Sequence, residues 1–155
     1  MKVVDANVLL YAVNEDAPQH EAARTWLDSA LSGTEAVGFA WTVVLAFLRL
    51  STRAGLFPQP LTAEQAIGVA ETWLGRPSAL VLTPTARHLP LLAGMLATAG
   101  TAGNLVADAH LAALAVEHGA EVASFDRDFA RFSGCACICP PGRRADPSTR
   151  LYSEV

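Results

Sequence analysis

The feature that most limits the fold of this chain is a regular alternation of short apolar segments with longer segments of helical periodicity. Apolar runs of strand length recur five times, and each pair is separated by a stretch with helical spacing. Strands that alternate with helices favour an open parallel sheet covered on both faces. The sequence therefore predicts a single α/β unit. Its strands are "KVV", "EAVGFA", "SALVLTP", "AEVASF" and "CACIC".

Local signals mark where several of the helices begin and end. In "PQHEAARTWLDSALSG" the apolar residues follow helical spacing, with Pro18 near the start and Gly33 at the end. Thr62 and Gln65 have the spacing of a capping box for the helix "AEQAIGVAETWLG". We also predict helices over "WTVVLAFLRLSTRAG" and "RHLPLLAGMLATAG", and a short one over "RDFARF".

Composition restricts where the protein acts and what it binds. With 155 residues, 52% of them hydrophobic, the chain has the material for one domain with a true core. It has no run of about 18 apolar residues, so we expect no membrane association and a cytoplasmic location. A formal charge of −4 with Lys2 as the single lysine argues against a broad basic surface for duplex nucleic acid. The three cysteines, all in "CACIC", are interpreted as reduced thiols packed along a strand.

Three aspartates are placed where such a sheet would bring them together. In open α/β sheets the ligand crevice lies at the carboxyl ends of the strands, where Asp5 follows "KVV" and Asp126 follows "AEVASF". Asp108 lies near the start of an apolar helix that precedes the second of these strands. Because a buried carboxylate needs a partner, and three carboxylates repel one another, the arrangement predicts a divalent cation between them. Oxygen ligands suit Mg²⁺, or alternatively Mn²⁺.

Each acid also has a simpler interpretation. Asp5 and Asp126 both precede a helix and are suited to cap it, and Asp128 is suited to interact with the dipole of its own short helix. Asn104 could cap the Asp108 helix or orient the Asp108 carboxylate. Capping does not account for Asp108.

The motifs together resemble those of PIN-domain ribonucleases of the VapC toxin type. The resemblance covers residues 1–141 and leaves 142–155 as a Pro-, Arg- and Ser-rich tail. It implies a three-layer α/β/α sandwich with strand order 3-2-1-4-5, Mg²⁺-dependent RNA cleavage, control by a cognate antitoxin, and a homodimer. The resemblance aligns the acidic residues of the family with Asp5, Asp108 and Asp126, and Asp128 lies beside the last of these. The motifs are "VVDANVLLYAVNEDAPQHEAARTWL", "AFLRLSTR" and "GNLVADAHLAALAVEHGAEVASFDRDFARF".

One position departs from the family pattern. Most members carry a glutamate in the helix after the second strand, and Phe47 occupies the aligned place here. We therefore expect the Phe47 ring near the metal site, three ligands rather than four, and a weak second metal. Glu15 or Asp16 could substitute for the missing carboxylate. Arg49 and Arg53 of the same helix are candidates for contacting the RNA backbone.

Other functions remain open at this stage. A phosphatase would use Asp5 as a nucleophile in a D-x-D turn, but the order here is Asp5-Ala6-Asn7. A receiver-like signalling domain would need a lysine after a late strand, which the chain lacks. A PIN-like binding protein with weak or no catalysis stays possible because of the missing glutamate. The sequence names neither the RNA and its cleavage position nor the antitoxin.

Overall fold

A computed structural model describes residues 1–100 and 103–140 of the chain. Within these residues five parallel strands form one sheet, and six α-helices pack around it. The strands are β1 (Lys2–Val4), β2 (Val37–Ala40), β3 (Ala79–Leu82), β4 (Glu121–Ala123) and β5 (Ala136–Ile138). The helices are α1 (Ala6–Val13), α2 (His20–Ser32), α3 (Trp41–Ser51), α4 (Ala63–Leu74), α5 (His88–Ala99) and α6 (Val106–Glu117). Two 3-10 helices cover Gly103–Leu105 and Asp128–Arg131.

The strand order is β3-β2-β1-β4-β5, which confirms the expected 3-2-1-4-5 arrangement. From β1 the chain builds outward through β2 to β3, then crosses back and adds β4 on the other side of β1. Right-handed crossovers place helices on opposite faces when the direction of winding reverses. Accordingly, α1 packs against α2 and α3, α3 packs against α4, and α5 packs against α6. The winding reverses between β1 and β4, and a ligand crevice is expected at that point.

The core lies between the sheet and these helices. The central strands are almost free of exposed side chains, and β2 is buried along its whole length. A Cβ at Gly38 of β2 would come within 2.5 Å of Leu82 Cδ1 on β3, so a larger residue there would force the Leu82 side chain to shift. The capping box at Thr62 is present: Gln65 N donates to Thr62 Oγ1 at 3.1 Å, and Thr62 N donates to Gln65 Oε1 at 2.9 Å.

Strand β5 forms one edge of the sheet, which changes the interpretation of the cysteines. All three thiols are free, and Cys135 packs against the core as expected. Cys137 and Cys139 are exposed, so the prediction of a packed thiol row is wrong for these two. An edge strand has a neighbour on one side only, which leaves its outer side chains uncovered. Within residues 1–100 and 103–140 no helix is both long and apolar enough to cross a bilayer. The predicted tail, 142–155, lies outside the described residues.

Candidate active site

Asp5 occupies the first position after β1, where the sheet meets the crevice. The parallel register pairs Val3 with Val122 and Val4 with Ala123, and Asp5 N donates to the Ala123 carbonyl at 3.0 Å. Its carboxylate caps α1: Oδ1 accepts from Ala6 N at 2.6 Å. The capping interpretation is therefore correct for Asp5. The cap does not offset the cost of burying the negative charge: burial raises the pKa of Asp5 to about 6 despite this hydrogen bond.

A hydrogen-bonded pair, Ser124 and Asn7, fixes the Asp5 carboxylate and the loop after β4. Ser124 Oγ donates to Asp5 Oδ2 at 2.6 Å and accepts from Asn7 Nδ2 at 2.9 Å. The same Oγ accepts from Asp126 N at 2.9 Å, and Asn7 Oδ1 accepts from Phe125 N at 3.2 Å. Ser124 is almost fully buried. These contacts fix the relative positions of the two strand ends that carry Asp5 and Asp126.

Asp126 and Asp128 lie on the loop that leaves β4. Asp126 Oδ1 accepts from Asp128 N at 2.8 Å, which folds the loop into an Asx turn. Asp128 begins the 3-10 helix and pairs with Arg131 of that helix, with 3.2 Å between Oδ1 and Nη2. The helix cap is Arg127 and has no side-chain cap hydrogen bond, so the capping role expected for Asp126 is wrong, whereas Asp128 lies in the first turn as expected. The second oxygen of Asp126 has no partner in the described part of the chain.

Asp108 lies in the first turn of α6, which contacts both β1 and β4. Its carboxylate is half-buried and has no hydrogen-bond or ion-pair partner among the described residues. Burial, and then repulsion by the charges of Asp5, Asp126 and Asp128, raises its pKa to about 7. The first turn of a helix favours a negative charge, but here burial and repulsion outweigh that effect. Asp108 therefore faces the other acids of the site.

The charges of Asp5, Asp126 and Asp128 thus act on Asp108 at the ends of β1 and β4. The described residues contain no group of three His, Cys, Asp or Glu side chains already placed to hold a metal ion. The donor atoms nevertheless suit a hard cation. Each Asp5 oxygen has one hydrogen bond and keeps a lone pair, and Asp108 has both oxygens available. Mg²⁺ retains several waters and is usually bound through one or two carboxylates, so it does not need three preformed protein ligands.

Other residues suggested by the sequence lie away from this cluster. Glu15 and Asp16 are exposed in the loop after α1, and neither is among the charges that raise the pKa of Asp5 or Asp108. Arg49 and Arg53 are exposed at the end of α3 and just beyond it. The backbone of Asn104 lies in the 3-10 helix before α6, and its side chain is outside the described part.

Phe47 does not occupy the space expected from the alignment. Its side chain is fully buried, and its ring packs edge-to-face on Trp73 of α4 with 5.0 Å between ring centroids. With Leu9, Phe39 and other apolar side chains it lines a small gap in the core. The expected position of the Phe47 ring beside the metal site is therefore wrong, because the ring lies in the core. The buried side of α3 faces α4 and the sheet, and Phe47 lies on that side.

His88 and His110 form a second polar cluster with Glu117. His88 Nδ1 donates to the buried Glu117 carboxylate at 2.6 Å, and His88 Nε2 lies 2.8 Å from His110 Nδ1. Thr85 N also donates to Glu117, at 3.1 Å. These bonds join the start of α5 to α6 over two turns. Their role is to dock the helix that carries Asp108.

Comparisons with known proteins agree with this arrangement. A family model described as PIN domain matches residues 2–134. Ribonuclease VapC37 of Mycobacterium tuberculosis is 57% identical over 141 residues, covering 91% of this chain and 98% of that protein. Ribonuclease VapC33 of the same species is 39% identical over 133 residues, covering 86% and 93%.

Solved structures show the same fold at low sequence identity. VapC20 of Mycobacterium tuberculosis, described as a sarcin-ricin loop cleaving toxin, superposes with a TM-score of 0.65 at 20% identity, covering 84% of this chain and 93% of that one. A VapBC2 complex of Rickettsia felis bound to a promoter DNA fragment gives a TM-score of 0.65 at 15% identity, covering 89% and 97%.

Proposed function

The chain belongs to the PIN-domain family, in its VapC group, and on that basis we propose that it is a Mg²⁺-dependent endoribonuclease acting as the toxin of a toxin–antitoxin pair. The observation that carries the proposal is the placement of Asp5 and Asp126 at the ends of adjacent strands, joined through Ser124, with Asp108 on the helix that contacts both strands. A carboxylate whose pKa is raised by burial and by neighbouring negative charges, as that of Asp108 is, is typical of a functional site. The names of the relatives supply the class of substrate, RNA.

Asp5, Asp108 and Asp126 would hold the metal. Asp5 is oriented by Ala6 N and Ser124 Oγ, so its remaining lone pairs have fixed directions. The chemistry that a bound Mg²⁺ supplies is a coordinated water of lowered pKa and neutralisation of charge on the phosphate oxygens. Ser124 and Asn7 keep the ends of β1 and β4 in register, so that the carboxylates stay in position while RNA binds.

The antitoxin would bind in an apolar groove along α2 and α3. Both helices pack against α1. On α3, Trp41 and Leu45 lie one helical turn apart and are 54% and 58% exposed. An amphipathic helix inserts its apolar side chains into a groove of this kind. Hydrogen exchange on the complex should protect α2 and α3; protection confined to other helices would contradict this assignment.

A homodimer would use the opposite edge of the sheet. In α5 only Met95 is buried, although the helix is largely apolar, and Leu89 is 72% exposed. Edge strand β3 exposes Leu80 and Val81. Exposed apolar side chains on a helix and on an edge strand favour burial against a second copy. Light scattering on Leu89→Asp should give a monomer where the unmodified protein gives a dimer.

The catalytic part of the proposal is tested with one isosteric substitution. Asp108→Asn keeps the shape of the side chain and removes its charge, so the variant should fold while losing RNA cleavage in Mg²⁺ by at least tenfold. The exposed Asp28→Asn, which changes the same charge on α2, is the matched control. Equal cleavage by Asp108→Asn and Asp28→Asn would refute the metal role. A folded wild type that binds RNA without cleaving it would favour the binding-protein alternative.

A further inference from the structure

The candidate active site has an excess of negative charge that an RNA substrate would increase. The charges of Asp5, Asp126 and Asp128 act on Asp108, and each phosphodiester of RNA brings one more negative charge. A metal ion offsets part of this repulsion. Anionic ligands bind to such sites when a protein cation also lies near the phosphate. A positive side chain is therefore expected at the carboxyl ends of β1, β4 and β5.

Arg127 is placed at this edge of the sheet. It lies between Asp126 and Asp128, and its side chain is exposed. Its guanidinium makes no hydrogen bond or ion pair with any residue in 1–100 or 103–140. Burial raises the pKa of the Cys139 thiol, just beyond β5, and the positive charge of Arg127 opposes that rise.

The backbone around Arg127 is held on both sides. Asp126 N donates to Ser124 Oγ at 2.9 Å, and Asp128 N donates to Asp126 Oδ1 at 2.8 Å. Because Ser124 also holds Asp5, the position of Arg127 is coupled to that of the carboxylates. The backbone of Arg127 is therefore fixed, whereas its exposed side chain is able to contact a ligand.

The other described cations are either paired with a carboxylate or lie elsewhere in the fold. Arg131 pairs with Asp128 at 3.2 Å across one turn of the 3-10 helix. Lys2 lies at the amino end of β1, away from the crevice, and binds Glu121. Arg49 and Arg53, which the sequence suggested for RNA contact, belong to α3 and the residues after it. Among the described cations, Arg127 is adjacent in sequence to two carboxylates of the site, and its guanidinium has no protein partner.

We propose that Arg127 is a substrate-binding residue that contacts the RNA backbone beside the scissile phosphate. This inference rests on the proposed ribonuclease function and deepens it. A guanidinium presents two parallel N–H groups to phosphate oxygens, a geometry that lysine cannot reproduce. The contact is with the backbone, so it would support binding to RNA of any sequence.

The test compares Arg127→Ala and Arg127→Lys with Arg76→Ala, which removes an exposed arginine just before β3, at the opposite ends of the strands. Cleavage of a fluorogenic single-stranded RNA in Mg²⁺ gives kcat and KM. Arg127→Ala should raise KM about tenfold or more with kcat changed less than threefold, the size expected for one charge-assisted contact. The slope of log(kcat/KM) against log[NaCl] should become shallower by about 0.7, as for one lost phosphate contact. Arg127→Lys should keep the slope and lose part of the affinity.

A binding measurement separates this inference from the proposed function. Fluorescence anisotropy of a fluorescein-labelled 12-nucleotide RNA in Ca²⁺ gives Kd for the same variants. If the wild type cleaves RNA and Arg127→Ala matches Arg76→Ala in KM, Kd and salt slope, the Arg127 contact is refuted while the ribonuclease proposal stands. If the wild type cleaves no RNA and Arg127→Ala still weakens binding about tenfold, the contact is supported and the catalytic proposal fails.

Discussion

Replacing Asp108 by asparagine should make the metal-free protein more stable, and the gain should depend on pH. The pKa of Asp108 is raised from 3.8 to about 7 by burial and by three neighbouring carboxylates. A raised pKa means that the folded state prefers the protonated acid. The contribution of Asp108 to wild-type stability is therefore highest below pH 4, falls between pH 4 and 7, and then levels off.

The size of the effect follows from that difference in pKa. At about 1.4 kcal/mol for each pH unit, the gap between 3.8 and 7 sets an upper limit of about 4 kcal/mol. Asp108 is partly exposed, so solvent screening reduces the expected value to about 2 kcal/mol. Asparagine keeps the volume and carries no charge. The variant should thus be about 2 kcal/mol more stable than wild type at pH 8 and equal to it at pH 4.

Urea unfolding in EDTA at pH 4, 6 and 8 measures this difference directly. The raised pKa of Asp5 makes both proteins lose stability with rising pH, so the gap between the two curves is the quantity of interest. Asp28→Asn, which alters an exposed acid on α2, should shift the curve little at any pH. Parallel curves for wild type and Asp108→Asn would show that Asp108 does not face the other carboxylates.

Three further outcomes follow from the site and the core. Mg²⁺ at a few millimolar should raise the wild-type Tm at pH 8 by several degrees and leave Asp108→Asn almost unchanged; an equal response of the two proteins would count against metal binding by this acid. Ser124→Ala should lower kcat for RNA at least tenfold and cost about 1–3 kcal/mol in urea, because it removes the donor to Asp5 and the acceptor of Asp126 N. Phe47→Glu should destabilise the protein by more than about 3 kcal/mol and restore no metal affinity, since its ring packs on Trp73 in the core; a gain in Mn²⁺ affinity would overturn this assignment.

The sequence predicted the fold because its signals are local. Alternating apolar runs and helical spacing marked all five strands, and the Thr62–Gln65 box marked the start of α4. The strand order came from the family resemblance, since adjacency in a sheet is a long-range property. The prediction for Cys137 and Cys139 failed because the sequence does not reveal that β5 is an edge strand.

Part of the site was also predicted, because local signals mark where the strands end. Asp5 and Asp126 follow strands, and a parallel sheet brings such positions to one rim. Ser124 was missed because its partnership with Asp5 depends on the register that pairs Val3 with Val122. Its position two residues before Asp126 on an alternating strand was the available signal.

Phe47 shows the limit of alignment by spacing. The rotation of a helix about its own axis is set by its packing against neighbouring elements. That rotation decides which of its residues face the core and which face the site. In α3 the buried side contains Val43, Val44, Phe47 and Leu50. Packing of α3 against α4 directs Phe47 toward Trp73, and the sequence carries no local signal for that contact.

Binding of Mn²⁺ followed by electron paramagnetic resonance tests the central claim most directly, because the free ion gives a signal that protein binding quenches. At pH 8 the wild type should quench the signal with a stoichiometry near one, and excess Mg²⁺ should restore it. Asp108→Asn should lose most of this quenching, whereas Asp28→Asn should keep it. If wild type and Asp108→Asn quench the signal equally, or neither does at millimolar Mn²⁺, the carboxylates at the ends of β1 and β4 do not form a divalent-metal site.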